Sequence, residues 1–236
     1  MRALKDRVAG RVRGEIMRQQ GAMRVISVNT GLPRRVDWQG KAVLTGIFKE
    51  PVAGRIPVRR HNLDGDRQAD LTVHGGRDKA VYAYPSEHYP YWRAELPEVA
   101  LPWAQFGENL TTEGLLEDAA GIGDRYRVGT AELVVTQPRF PCYKLGIRFG
   151  RPDILRRFLR SGRPGIYFSV AQEGEIEAGD PIVLIERAGH SLSVAEIALL
   201  YARGGDDRDL LERAAALESL PETLRDHFGE LLARQP

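Results

Sequence analysis

From Arg24 onward the chain is a succession of short strand-like runs cut by Gly and Pro, and this punctuation leaves little room for long helices over most of its length. RVISVN alternates apolar and polar residues, and KAVLTGIFKE, RIPVRR, AVYAYP, DRYRVG, AELVVTQ, GIYFSV and PIVLIE follow it. Two of the later runs begin just after a Gly-Asp pair, at Gly123-Asp124 and Gly179-Asp180, where glycine supplies the positive φ of a tight turn. Many short strands with turns between them predict a mainly β domain over residues 23–189, barrel-like and closed or half closed. Two helical patterns interrupt it, PSEHYPYWRAEL and PDILRRFLRSG. In the second, Ile154, Leu155, Phe158 and Leu159 share one face.

The pattern changes near residue 190. Ser193 and Glu196 form a capping box ahead of a stripe of Val194, Ile197, Ala198 and Tyr201. Gly204-Gly205 ends that helix, and Asp206, Asp207 and Asp209 suit the start of a second, striped by Leu210, Ala214 and Leu217. Pro221 and Glu222 open a third, with Leu224, Phe228 and Leu231 on one side. Residues 190–236 therefore read as a small all-α three-helix bundle. Its outline is that of a helix-turn-helix, but nine acidic residues against five arginines give it a charge of −4, which opposes binding to phosphates, so nucleic acid is disfavoured as a partner. Residues 1–22 carry the opposite charge, six Arg/Lys against two Asp/Glu, and precede a second methionine, Met23; they read as a flexible basic extension. The formal charge of +2 is thus a sum of a basic head, a near-neutral middle and an acidic tail. No apolar run reaches the roughly 18 residues of a membrane span and no secretory signal is visible, so a cytoplasmic protein without membrane contact is expected.

A single cysteine excludes an internal disulfide and a Cys-rich zinc site, and leaves Cys142 as the one thiol for any chemistry. It lies in TQPRFPCYKLG, directly after the run AELVVTQ. Most lone cysteines are small buried hydrophobes. Here Pro138 and Pro141 stiffen the loop that leads into it, and Arg139 and Lys144 flank it, a setting that favours the thiolate. A second polar cluster, DGDRQADLTVHGGRDKAVYAYP, contains His74-Gly75-Gly76, where two glycines let backbone amides approach a ligand, and Arg77 and Lys79, which suit a phosphate. It is neither a phosphate-binding Walker loop nor a dinucleotide fingerprint, and no second His or Cys stands at zinc-ligand spacing from His74. FGENLTTEGL offers Asn109, Thr111 and Thr112 as uncharged donors and acceptors in what reads as an Asx-type loop.

QADLTVHGGRDKAVYAYPSEHY, FGENLTTEGL, IGDRYRVG and VTQPRFPCYKLG, in this order and spacing, resemble the MOSC domain, named for the C-terminal region of molybdenum cofactor sulfurases, and in particular its YiiM-type bacterial branch. The likeness runs from Met23 to Glu186, and the three-helix tail resembles the helical domain which that branch appends. The resemblance implies a β-barrel-like fold that holds molybdenum cofactor, with the thiolate of Cys142 as the protein ligand to molybdenum. A soft thiolate suits a metal already bound by the dithiolene sulfurs of its pterin. Carried over to this chain, the cofactor lining comprises Gln68, Asp70, His74, Gly75, Gly76, Lys79, Asn109, Gln137, Arg139 and Lys144. The implied activity is reduction of N-hydroxylated bases, hydroxylamines and amidoximes, and the family's habit is a homodimer. The chain shows no flavin fingerprint, haem motif or Fe–S cysteine set, so electrons are expected from a separate donor protein, for which the charge of the acidic tail suggests a docking surface. Two other readings use the same cysteine: a sulfur carrier holding a Cys142 persulfide, and a Cys-His hydrolase, which lacks any protease signature.

Overall fold

The structure, a computed structural model, describes residues 23–69, 75–189 and 192–235, so the basic extension over 1–22 lies outside the described residues. The first half of the chain forms β1 (Arg24–Thr30), β2 (Arg34–Trp38), β3 (Lys41–Thr45), β4 (Glu50–Val52), β5 (Ile56–Val58), β6 (Val81–Pro85), helix α1 (Tyr89–Glu95) and β7 (Leu110–Glu113). The second half adds β8 (Arg125–Val128), β9 (Ala131–Pro138), α2 (Tyr143–Phe149), α3 (Ile154–Ser161), β10 (Ile166–Gln172), β11 (Gly174–Ile176) and β12 (Ile182–Glu186).

Eight strands make one sheet in the order β12-β8-β9-β10-β6-β7-β1-β4, antiparallel throughout except for the parallel pair β6 and β7. Its ends curl together. The start of β1 meets the approach to β12 through the bridge Arg24–Pro181 and three backbone bonds: Val25 N–H to Asp180 O (2.9 Å), Gly179 N–H to Val25 O (2.8 Å) and Ile182 N–H to Met23 O (2.8 Å). This seam is a single bridge, not a full ladder, and of the two expected forms the half-closed one is found.

Burial follows from that curl. Strand β6 is buried on both faces, and its alternation sorts the two sides: Val81 and Ala83 face the barrel core, while Tyr82 and Tyr84 enter a second, aromatic cluster with Tyr89, Trp92, Phe106 and Phe158. That cluster fills the space under α1, α2 and α3. Three features depart from the sequence reading. KAVLTGIFKE is split because Gly46 lies so close to the Arg67 carbonyl that a Cβ would stand 2.4 Å from it, so the chain leaves the β2–β3 hairpin there. LTTE is a buried central strand between β6 and β1, not part of a loop. YKLGIRF is helix α2, closed by Gly150 at φ 66°.

The tail forms α4 (Val194–Ala202), α5 (Arg208–Ala215) and α6 (Glu222–Ala233). Both halves of the Ser193–Glu196 capping box are present, and Asp207 caps α5 by accepting from Leu210 N (3.0 Å). Val194, Ile197, Leu200, Leu211 and Phe228 belong to the same apolar core as Leu133, Val135 and Phe168 of the sheet. Backbone bonds from Ile122 N–H to Leu192 O (2.8 Å) and from Val194 N–H to Ala120 O (2.9 Å) join the two. No helix among the described residues is long and apolar enough to cross a membrane.

Candidate cysteine-centred site

Strand β9 ends at Pro138, and four residues later the chain enters α2 with Cys142 as its N-cap, in an extended conformation (φ −115°, ψ 170°). The cysteine carbonyl accepts from Leu145 N–H at 2.9 Å. Its side chain is therefore placed at the positive end of a helix, partly exposed, between a strand end and a helix start that are both packed down.

Cys142 opens onto a cleft of about 570 Å³, counted with its mouth, whose wall carries Lys49, Arg67, Lys79, Arg139 and Lys144. Tyr82 and Tyr167 line it too, their rings 5.0 Å apart. Burial pushes both phenols above their ordinary value and keeps them neutral. Arg139 is buried, with its guanidinium carbon 4.8 Å from the Tyr82 ring centre and Nη1 donating to the Phe106 carbonyl. Burial opposes its charge, yet the group stays above its ordinary value, with the Tyr82 hydroxyl oxygen as an acceptor and Cys142 nearby. Lys79 is lowered, chiefly by burial, with Asp78 and Cys142 pulling the other way. Two cations thus stand within Coulombic reach of the sulfur, the surroundings a thiolate ligand requires. Lys49 is lowered by burial against the opposing pull of Asp66, its buried ion-pair partner.

Of the residues expected at the site, Cys142, Gln68, Lys79, Asn109, Arg139 and Lys144 share this wall. Gly75 and Gly76 lie just before the 3-10 turn Arg77–Lys79 and deliver Lys79 to the cleft without lining it; the Gly76 φ of 91° is one that other residues rarely adopt. Gln137 is buried in β9 opposite Tyr167 and is not on the wall. Asp70 and His74 lie outside the described residues. Asn109 spends its polar atoms on the protein: Oδ1 accepts from Tyr82 N–H (3.1 Å), while Nδ2 donates to Asp66 Oδ2 (2.9 Å). Sequence reasoning missed Lys49, Asp66, Arg67, Tyr82 and Tyr167. Lys49 closes an apolar run and reads locally as an exposed strand end; only its burial against Asp66 marks it.

Among the described residues no three His, Cys, Asp or Glu side chains converge on a point that fits a metal. Among the described residues Cys142 is the one soft donor on the cleft wall, which suits a metal that carries ligands of its own, and the cations around it suit an anionic group on the same molecule. The donor set thus fits a cofactor with its own sulfurs and a phosphate.

The family profile of the MOSC domain matches residues 70–183, and that of the YiiM-like, 3-alpha helix domain matches residues 192–235. The Bacillus subtilis (strain 168) protein YflK is 39% identical over 204 residues, 86% of this chain and 92% of that protein. The chain belongs to the MOSC family. Its fold agrees with the crystal structure of YiiM from Geobacillus stearothermophilus, to which this MOSC protein is 36% identical with a TM-score of 0.75, covering 89% of this chain and 99% of that one. A protein of Gibberella moniliformis (strain M3125 / FGSC 7600) named a reductase is 37% identical over 161 residues, 67% of this chain and 28% of its own length.

Proposed function

We propose that this MOSC protein is a molybdenum-cofactor reductase of N-hydroxylated bases, hydroxylamines and amidoximes. The observation that carries the reading is one partly exposed thiol, the sole cysteine of the chain, at the rim of a cleft walled by five cationic side chains. Cys142 supplies the protein ligand to the metal, and Arg67, Lys79 and Lys144 neutralise the cofactor's phosphate and fix its position, while Lys49 is held by Asp66. Arg139, locked onto the Tyr82 ring and the Phe106 carbonyl, holds its charge beside the sulfur without needing to move. When bound, the molybdenum centre supplies two-electron oxygen abstraction, so that an N–OH group, two electrons and two protons become an N–H group and water. The Tyr167 phenol, kept neutral, is available as a hydrogen-bond donor to the departing oxygen, whereas Tyr82 donates its hydroxyl to the Pro164 carbonyl (2.8 Å). The electrons come from a separate protein, and the net negative charge of residues 190–236 suits its docking. Support also comes from the fungal relative, whose name is that of a reductase.

The test is the molybdenum and pterin content of protein expressed with cofactor supply, together with Cys142→Ser. We expect one molybdenum per chain in the parent. Serine is a good N-cap, so the variant keeps its fold and thermal stability. Its molybdenum-dependent reduction of hydroxylamines is expected to fall by about a hundredfold or more, beyond what residues that merely support a ligand usually cost. Protein free of molybdenum and pterin but carrying a persulfide on Cys142 would replace this reading with that of a sulfur carrier.

A further inference from the structure

A second hollow lies behind the cysteine cleft, on the side where the tail meets the sheet. It measures about 350 Å³, at the lower end of the range of small-molecule sites. One wall is α3, the other α4 of the tail, and Phe140 and Phe158 lie along its inside. Leu159 and Leu199, 42% and 47% exposed, line it from the two helices and are two of the few large apolar side chains left in solvent among the described residues. Ala195, Ala198 and Ala202 keep the α4 side flat. Apolar exposure of this kind, gathered in one hollow, is the signature of a site and not of scattered surface.

Its charges all have one sign. Arg139, Arg160 and Arg163 line the hollow, and among the described residues no carboxylate does. Arg163 lies over the Tyr91 ring at 3.9 Å with Nη1 donating to Ser161 O (2.7 Å), so its charge is held in place. Arg160 is exposed and forms no ion pair among the described residues. Arg139 is common to both cavities: the guanidinium that walls the Cys142 cleft also lies 5.7 Å from the ring centre of Phe158. A molecule lying in the hollow therefore meets the same side chain that stands beside the sulfur.

We propose that this hollow binds the organic body of the substrate, and that the substrate class is a flat aromatic or heteroaromatic hydroxylamine carrying an anionic group, carboxylate or phosphate. Apolar walls and alanines accept the ring, and the arginines accept the anion as charge-assisted hydrogen bonds. The hydroxylamine part rests on the reductase reading above; the aromatic anion part rests on the hollow alone. The tail is then a wall of the substrate site as well as a cover for the barrel.

Two measurements on the full chain separate these parts. In the first, the fluorescent probe 6-amino-2-naphthoate and its neutral counterpart 2-naphthylamine are titrated into the parent and into Leu199→Glu, Leu199→Lys and Lys79→Ala. The naphthoate is expected to bind about tenfold tighter than the amine. Leu199→Glu, at an exposed position that tolerates either charge, removes that advantage, Leu199→Lys keeps or raises it, and Lys79→Ala leaves it unchanged. Equal binding of the two probes, or loss of the naphthoate in Lys79→Ala but not in Leu199→Glu, overturns the proposal, the latter by placing the anion in the cysteine cleft. In the second, cofactor-loaded protein is given 4-hydroxylaminobenzoate and phenylhydroxylamine with a dye donor. A KM for the benzoate about tenfold lower, raised by Leu199→Glu with molybdenum content unchanged, supports the substrate role. Equal KM values overturn that role, whereas no reduction of either compound by fully loaded protein overturns the reductase reading while the probe titration still decides the hollow.

Discussion

Asn109 stands in the wall of the cysteine cleft, yet its amide is used up in holding β6, β7 and the Asp66 carboxylate together. Removing it leaves a buried Tyr82 N–H without its acceptor and a buried carboxylate short of a donor. Asn109→Ala is expected to cost about 2–4 kcal/mol in denaturant unfolding of cofactor-free protein. Unchanged stability with lost cofactor would instead make the amide a cofactor contact. Its neighbour Glu108 is fully buried and collects donors: Tyr89 Oη, Ala104 N–H (2.9 Å), Phe106 N–H (3.1 Å) and Thr111 Oγ1 (3.1 Å). Burial nevertheless holds its carboxyl above the ordinary value of 4.5, with those bonds opposing. Folding therefore raises this group's proton affinity. Its contribution is fully present below the unfolded pKa and is lost as pH rises through the raised folded value. Glu108→Gln is expected to be less stable at every pH because an amide N–H2 faces donors, but to flatten that part of the profile. Melting temperatures of both proteins between pH 4 and pH 7 show it; parallel curves would remove Glu108 from the account.

At the scale of elements, local grammar and tertiary demand divide the chain. Helix α4 announces itself through Ser193, whose Oγ accepts from Glu196 N–H (3.1 Å) while its own N–H donates to Glu196 Oε2 (2.7 Å). Ser193→Ala is expected to lose about 1 kcal/mol and Ser193→Asp to keep nearly all of it, as read from chemical denaturation midpoints. A loss equal in both would mean that packing near Leu192, not the cap, sets the start of the helix. Helix α2 and strand β7 give much weaker signals. YKLGIRF has glycine in mid-helix, and LTTE follows a Gly-Glu-Asn turn, so neither reaches a clear periodicity of its own. Both are imposed by where they sit, α2 over the aromatic cluster and β7 between β6 and β1.

Over the whole molecule, the sheet and the tail share one apolar core. Leu192, Val194, Ile197 and Phe228 bury against it, and the backbone of the 120–122 turn bonds directly to the start of α4. Removing residues 190–235 exposes that surface of the barrel, at a rate of about 25 cal/mol per Å² of apolar area. The intact chain is expected to melt in one calorimetric transition, and a chain ending at Gly189 to bind a hydrophobic dye and lose that cooperativity. Two well-separated transitions, or a shortened chain melting at the parent temperature, would show two independent folding units instead.

Sequence alone determined the strand-and-turn plan, the three helices of the tail and the placing of the single cysteine just after a strand end and two prolines. Each of these depends on residues a few positions apart, and local dihedral preference and side-chain periodicity act over that range. The half-closed seam between β1 and β12, the two aromatic rings beside the sulfur, and the burial of Lys49 against Asp66 were decided by the tertiary structure. The same holds for Arg139 as the shared wall of two cavities. The cleft draws on segments around residues 45–49, 67–69, 79–82, 107–109, 139–144 and 167, which become neighbours only when the sheet curls. Sheet curvature and burial are properties of the whole set of strands, so no single stretch of the chain carries them.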